Sequence, residues 1–341
     1  MDAVMSISLD GPRLHRLEST GYLQRRIVYL DLRYWIGMSE QADDAHIALR
    51  ELLRERVRDG RVICAISPSL ILEIEKRPQS PKRDAYFALI DEFCLGLAIR
   101  PAPLMFREEF HEALVGGRIS RRLAFATIWH AYADMSLELP VGMWSQERLA
   151  EFAQLLYPAM AQMPIQEMTS QGKQRAGGTE HAHRLHNAWV ELCERERQAR
   201  DTGVNTMAAL LEAEFASAVQ SYSMQMAEVI LRLPQVNSEA LHALDGLPES
   251  RMRALLNSCP TFVSQYWLVA ALRSNRRQLK PNDLWDISHI GTALPYVDCL
   301  GCDGGMRHLC ELVLPHLPSD TSPELVASDA QRIVDWLANL R

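Results

Sequence analysis

Four acids fall where carboxylates can act together. Asp31 closes the run RIVYLD, and Asp303 follows the apolar stretch 297–302. Glu73 lies just after the run RVICAI, in the segment that should form the next helix. Asp286 stands one turn into a helix opening PNDLWD, beside Ile287, Ile290 and Leu294 rather than on the polar face. In an open parallel sheet the carboxyl ends of the strands form the ligand-binding edge, so acids at strand ends can converge. Converging carboxylates repel, because each disfavours ionisation of the others. A divalent cation relieves that repulsion, and hard oxygen donors select Mg²⁺ or Mn²⁺, as one or two ions.

Each acid also has a plainer use. Asp31 could be a turn residue, and Asp303, before Gly304 and Gly305, could shape a loop. Asp283 reads first as a helix cap, although one turn from Asp286 it could back the ligands. His289 is one turn beyond Asp286 and could contact the site or pack the helix. Asp298 opens the strand that Asp303 closes, about 16 Å away at roughly 3.3 Å per residue, so it ranks as structural, able at most to back the ligands. Cys299 and Cys302 have a CxxC spacing, but positions three apart on a strand face opposite ways and no second cysteine pair exists for zinc. His181, His183 and His186 read as a solvated surface.

Basic residues flank the acids. Lys76, Arg77, Lys82 and Arg83 follow Glu73, and Arg273, Arg276, Arg277 and Lys280 precede Asp286. Both clusters could contact substrate phosphates, or could be solvated helix ends, where cations are favoured. Tyr34, Trp35 and Trp285 lie near the acids and could stack on unpaired bases, with core packing the expected use of two of the three.

The elements that must position these groups are legible in outline. Residues 26–31 and 61–66 read as strands with a helix from about 39 to 59 between them, Gly60 supplying the stop. Ser67 and Pro68 open the Glu73 helix as cap and first-turn residue. A helix from about 82 to 95 and a short strand in LAIRPAP follow. From 104 to 280 helical periodicity dominates, with helices near 106–115, 120–134, 145–160, 183–200, 203–232, 237–244, 248–258 and 261–275, and a polar loop at 170–182. Strand and helix texture returns after Pro281, with Asn282 or Asp283 capping a helix to about 294. A strand at 297–302, a helix at 306–317 and an edge strand at 324–327 come next. Ser328 with Gln331 then predicts a capping box for the last helix. The predicted division is an N-terminal extension (1–24), a core in two parts (25–103 and 281–341) and a helical insertion (104–280).

The segments IVYLDLRYW, ISPSLILEIEK and NDLWDISHIGTALPYVDCLGCDGGM resemble, in order and spacing, the acidic motifs of PIN-like nucleases. The resemblance covers roughly residues 25–100 and 281–341. It implies a three-layer α/β/α fold around a mainly parallel sheet, interrupted here by the large all-helical insertion. It also implies a metal-dependent endoribonuclease, with Asp31, Glu73, Asp286 and Asp303 as catalytic and metal-binding acids. Asp31, Asp286 and Asp303 would be the direct or water-mediated ligands, and Glu73 would complete the shell or orient the attacking water. The alternatives are a DNA-directed nuclease, or a catalytically weak or inactive module serving interaction or regulation.

Composition narrows the classes further. Forty-three acidic against 36 basic residues give a net charge of −7, so any nucleic-acid contact must use a local basic patch rather than bulk charge. No window approaches the roughly 20 apolar residues of a membrane helix, and the start MDAVMSISLDGPRLHRLE lacks a signal pattern, so a cytoplasmic protein is expected. Seven cysteines, mostly in apolar runs, fit reduced thiols. The expected partners are RNA, a protein or inhibitor held by the insertion, and a second copy of the chain. After Asp31 the sequence reads Leu32, Arg33, without the second acid of an aspartyl phosphatase or dehalogenase, and no Gly-rich turn of a dinucleotide enzyme follows the first strand.

Overall fold

The computed structural model describes residues 21–75, 77, 80–127, 165, 190, 206–232, 249–274, 281–318 and 321–340. Outside them lie the expected extension before residue 21, the expected helices at 145–160 and 237–244, and that at 183–200 apart from Val190. The loop at 170–182, the three histidines, Lys76, Cys193, Arg276, Arg277 and Lys280 also lie outside. In chain order the described strands are β1 (Arg26–Leu30), β2 (Val62–Ala65), β3 (Leu97–Ile99), β4 (Phe125–Thr127), β5 (Cys299–Gly301) and β6 (Leu325–Ala327). The described α-helices are α1 (Leu32–Glu40), α2 (Asp44–Arg58), α3 (Pro68–Glu75), α4 (Pro81–Cys94), α5 (Ala102–Leu114) and α6 (Met207–Ser221). They continue as α7 (Ser223–Arg232), α8 (Glu249–Asn257), α9 (Pro260–Ser274), α10 (Pro281–Ala293), α11 (Gly304–Val313) and α12 (Ala330–Ala338). The protein is thus mixed α/β, mostly helical, with β1–β2 and β5–β6 paired in parallel. The described residues divide into two compact units, one from Met1–Ile99, Phe125–Leu185 and Asp329–Arg341, the other from Arg100–Ala124 and His186–Ser328.

In the first unit β1 and β2 pair in parallel, Arg26 opposite Val62 through Tyr29 opposite Ala65. Every residue of β2 and all but the first of β1 are buried, the continuous apolar pattern of strands covered on both faces. Ile66 bridges Ala98, which brings β3 beside the end of β2, and β3 pairs antiparallel with β4. Leu49, Leu53 and Val57 form one buried stripe of α2, and Ala330, Ile333 and Leu337 form that of α12, which packs against it. Arg56 Nε donates to the Leu337 carbonyl at 3.2 Å, in the last turn of α12, and Arg61 Nη1 to that of Leu340, just beyond it, at 3.3 Å.

Several expectations are corrected here. The helix expected from 39 to 59 is two helices. Asp31 starts the first at Leu32, Gln41 ends it in the left-handed region (φ 52°), and Asp43 caps the second by accepting from the His46 amide at 2.9 Å. Gly60 takes a positive φ of 71° just past α2, the stop that its sequence position predicts. The final helix is capped by Asp329, which accepts from the Arg332 amide, rather than by Ser328. Pro281 opens α10, which places Asn282 and Asp283 in its first turn instead of at the cap. The stretch expected to be wholly helical contains β4, preceded by a 3-10 turn at Arg121–Ala124 where a helix was expected from 120. Its residues supply the hydrogen-bonding edge that β3 needs, a long-range demand that local periodicity does not reveal. The helix expected from 203 to 232 breaks at Tyr222.

Gly37 is required where α1 meets α2. A Cβ there would lie 2.2 Å from His46 Cδ2 and 2.8 Å from its Cγ, and the ring is held by a 2.8 Å contact between Nδ1 and Asp43 Oδ1. The whole imidazole would have to leave. Gly37→Ala should therefore cost about 1–3 kcal/mol in urea unfolding, despite the better helix propensity of alanine. Wild-type stability in that variant would show that the contact is slack.

In the second unit α9 is the central helix, buried on most of its surface, with α5, α6, α8, α10 and α11 against it. Phe106, Phe215, Tyr222, Phe262 and Tyr266 make an aromatic cluster, with Phe215 edge-on to Phe262 at 5.4 Å and to Tyr266 at 5.6 Å. The Gln265 amide on α9 donates to the Ile287 carbonyl and to Thr292 Oγ1, both at 3.2 Å. At Gly291 a Cβ would lie 2.9 Å from that amide nitrogen, so glycine permits the close approach that fastens α10, the carrier of Asp286 and His289, to α9. The parallel pair β5–β6 matches Cys299 with Leu325 through Gly301 with Ala327.

Candidate metal centre

The first unit brings Asp31 and Glu73 together. Asp31 emerges from the carboxyl end of β1, and Glu73 lies in the helix that follows the neighbouring parallel strand β2. Each is half-buried, and their carboxylates offer oxygens within 4.8 Å of one another. The local folding explains the placement. Asp31 is the N-cap of α1, its Oδ1 accepting from the Leu32 amide at 2.6 Å, so a strand-to-helix transition holds the side chain at the sheet edge. Ser67 caps α3 by accepting from the Leu70 amide at 3.2 Å, and Pro68 supplies the first turn. The Ser67 hydroxyl also hydrogen-bonds the Tyr29 hydroxyl at 2.7 Å, tying β1 to the start of the Glu73 helix from beneath. Burial pushes the Tyr29 phenol well up, and the negative charges of Asp31 and Glu73 push the same way. Tyr29 was not among the expected site residues. Its signal was present only as an inward position on an apolar strand.

The second unit carries the other expected acids. Asp286 Oδ1 lies 3.5 Å from His289 Nε2, one turn apart on α10, with His289 buried and Asp286 partly exposed. Asp283 is buried in the first turn of the same helix, where the helix dipole favours an anion. Asp303 is the N-cap of α11, its Oδ1 accepting from the Met306 amide at 2.7 Å. Asp298, before β5, is clamped by Arg121 through two contacts, Nη1 to Oδ1 at 3.2 Å and Nη2 to Oδ2 at 2.5 Å. Arg121 carried no sequence signal, because its partner lies 177 positions away.

The basic residues differ in what they offer. Arg77 is exposed, Lys82 pairs with Glu40 at 3.0 Å, and Arg83 is buried with Nη1 donating to the Arg77 carbonyl. Arg273 is bound by Glu214. Tyr34, Trp35 and Trp285 are all buried, and the Trp35 indole donates to the Leu30 carbonyl at 2.9 Å. All three are core side chains, which removes the base-stacking role suggested for them. The six described cysteines are buried, and none of them forms a disulfide.

No family model, curated protein or solved structure matches this chain. No described helix is long and apolar enough to cross a membrane. Two carboxylates this close, one at the end of β1 and one in the helix after β2, make a donor set suited to a hard divalent cation. Ionising both is favoured by a nearby positive charge, which a bound cation would supply.

Proposed function

We propose that the chain is a divalent-metal-dependent nuclease with a three-layer PIN-like core, and that its substrate is RNA. The observation that carries this reading is the Asp31–Glu73 pair at the carboxyl end of parallel strands. Carboxylates with water completing the shell suit Mg²⁺ or Mn²⁺. A bound ion of this kind lowers the pKa of water and stabilises charge on a phosphate in transfer. The chain's own contribution is positional. Asp31, oriented by its helix cap, would hold the ion, Glu73 would complete the shell or orient the attacking water, and Arg77 and Lys82 would hold substrate phosphates. The helical segment 104–280 would shape substrate access or hold a protein partner.

The test is cleavage of end-labelled single-stranded RNA and DNA by the full chain in Mn²⁺, in Mg²⁺ and in EDTA, with Glu73→Gln beside the wild type. RNA should be cut in metal and not in EDTA, and the variant should be slower by at least about 100-fold, as when a metal ligand is lost. Cleavage of DNA alone would move the substrate class. Absence of cleavage in either metal would leave the Asp31–Glu73 pair to an interaction module and overturn the nuclease reading.

A further inference from the structure

The two acids of the proposed metal centre stand beyond the part of the sheet that the β1–β2 ladder fixes. The matched register of the two strands runs from Arg26 opposite Val62 to Tyr29 opposite Ala65. At the next step the chains part. Ile66 turns its backbone to β3, its amide donating to the Leu97 carbonyl at 3.3 Å and its carbonyl accepting from the Ile99 amide at 2.8 Å. At the end of β1 the Leu30 carbonyl accepts from the Trp35 indole of α1, the helix that Asp31 caps. Asp31 is therefore carried by β1 and α1, and Glu73 by α3, which starts just after the residue bridged to β3. The Tyr29–Ser67 hydrogen bond, 2.7 Å long and buried, spans that divergence. Tyr29 precedes Asp31 by two residues in extended chain, where alternate positions share a face. Ser67 caps α3, and the buried Leu70, Ile71 and Ile74 seat that helix in the core, so where α3 begins decides where Glu73 lies.

We infer that Tyr29 is a positioning residue for the metal centre, and that its bond to Ser67 holds Asp31 and Glu73 at the spacing of a small divalent cation. This rests on the metal reading of that pair. The two carboxylates offer oxygens within 4.8 Å of one another. Mg²⁺ takes oxygens at about 2.0–2.1 Å in near-ideal octahedral geometry, whereas Ca²⁺ takes them at about 2.3–2.6 Å in flexible arrangements. Two carboxylates that can drift apart therefore lose the small ion first. Parting two buried hydroxyls costs more than parting exposed ones, since no water replaces the lost bond, so the link is stiff. Tyr29 acts through Ser67 and α3 rather than by binding the ion.

Mn²⁺ binding to the full chain, read from the electron paramagnetic resonance of the free ion with Mg²⁺ and Ca²⁺ as competitors, tests it. Tyr29→Phe removes one hydroxyl and keeps the ring. It should weaken Mn²⁺ and Mg²⁺ about tenfold, as loss of a group supporting a metal ligand does. Ca²⁺ should weaken by no more than about threefold, because a flexible shell tolerates the slack. Ser67→Ala removes the other end of the same bond and should show the same change in preference, and it carries the test if Tyr29→Phe does not fold. Equal weakening of all three ions would mark a merely structural role and overturn the inference. Wild-type affinity for Mn²⁺ in either variant would overturn it too, while leaving the metal centre in place. Failure of the wild type to bind Mn²⁺ at millimolar concentration would remove the metal reading and this inference with it.

Discussion

Asp31→Asn should reduce metal-dependent RNA cleavage by at least about 100-fold while leaving the protein folded and, in EDTA, slightly more stable than wild type. Asparagine caps helices as well as aspartate, so its amide oxygen can still accept from the Leu32 amide and α1 should start where it does now. What is lost is one negative charge from a pair whose oxygens lie within 4.8 Å. At that separation, with an effective dielectric constant near 20, the repulsion amounts to about 3 kcal/mol. Solvent at two half-buried side chains reduces it, so the apo protein should gain on the order of 1 kcal/mol. Glu73→Gln should behave alike. Wild type should gain about 2.7 kcal/mol from Mn²⁺ at a hundred times its Kd, and both variants should lose most of that gain. The two effects have opposite signs, which separates a metal site from a structural acid. A cap alone would leave the metal response untouched, and an acid needed for packing would destabilise the apo protein when replaced. Parallel melts of the three proteins in EDTA and in Mn²⁺ give the answer, and a variant that retains the full metal-induced shift rules its residue out as a ligand.

The parts of this arrangement that could be read from sequence are those with local causes. The runs at β1 and β2 are continuous and apolar because both faces are buried, and Ser67–Pro68 and Gly60 punctuate the helices by side-chain oxygen, fixed φ and positive φ. Asp31 was found because strand ends are marked by where the apolar run stops. Its capping of α1 was not found, because Leu32–Glu40 carries a buried face that looks like a continuation of the strand. Interactions between distant segments left no local trace. The Tyr29–Ser67 bond, the Arg121 clamp on Asp298 and the antiparallel edge that β4 gives β3 all join residues whose separation only the fold removes. The aromatics failed differently. Tyr34, Trp35 and Trp285 sit near acids in sequence, but large rings bury more area than small ones, and the core claims them first.

Between about pH 4.5 and pH 7 the protein should lose about 3 kcal/mol of stability as pH rises, and Glu109→Gln should remove most of that slope. Glu109, on α5, is wholly buried in the second unit. Its Oε2 accepts from the Thr261 amide at 2.9 Å, and its Oε1 accepts from the Thr261 and Tyr296 hydroxyls. Tyr222 and Cys259 are its other titratable neighbours, both pushed up chiefly by burial and further by the charge of Glu109. Burial raises the carboxyl to about 7 and outweighs the three hydrogen bonds, which pull it down. The unfolded chain therefore gives up this proton near the ordinary glutamate value, while the folded chain keeps it until about pH 7. Through that window the unfolded state is the one that ionises without penalty, so folding weakens as pH rises, at 1.36 kcal/mol per unit of difference. Asp91, raised by burial to about 6, adds a smaller slope of the same sign. The difference between wild type and Glu109→Gln isolates the Glu109 contribution. Urea unfolding at pH 5 and pH 8 should show a wild-type stability lower at pH 8 and a variant that changes only by the Asp91 share. Because Thr261 opens α9, against which α10 packs, ionised Glu109 should also loosen the helix that carries Asp286 and His289. Amide exchange in α9 should accelerate from pH 5 to pH 8, beyond the intrinsic pH effect, in wild type and not in the variant. Identical pH slopes in the two proteins would mean that Glu109 is ionised across the whole range and that its hydrogen bonds outweigh its burial.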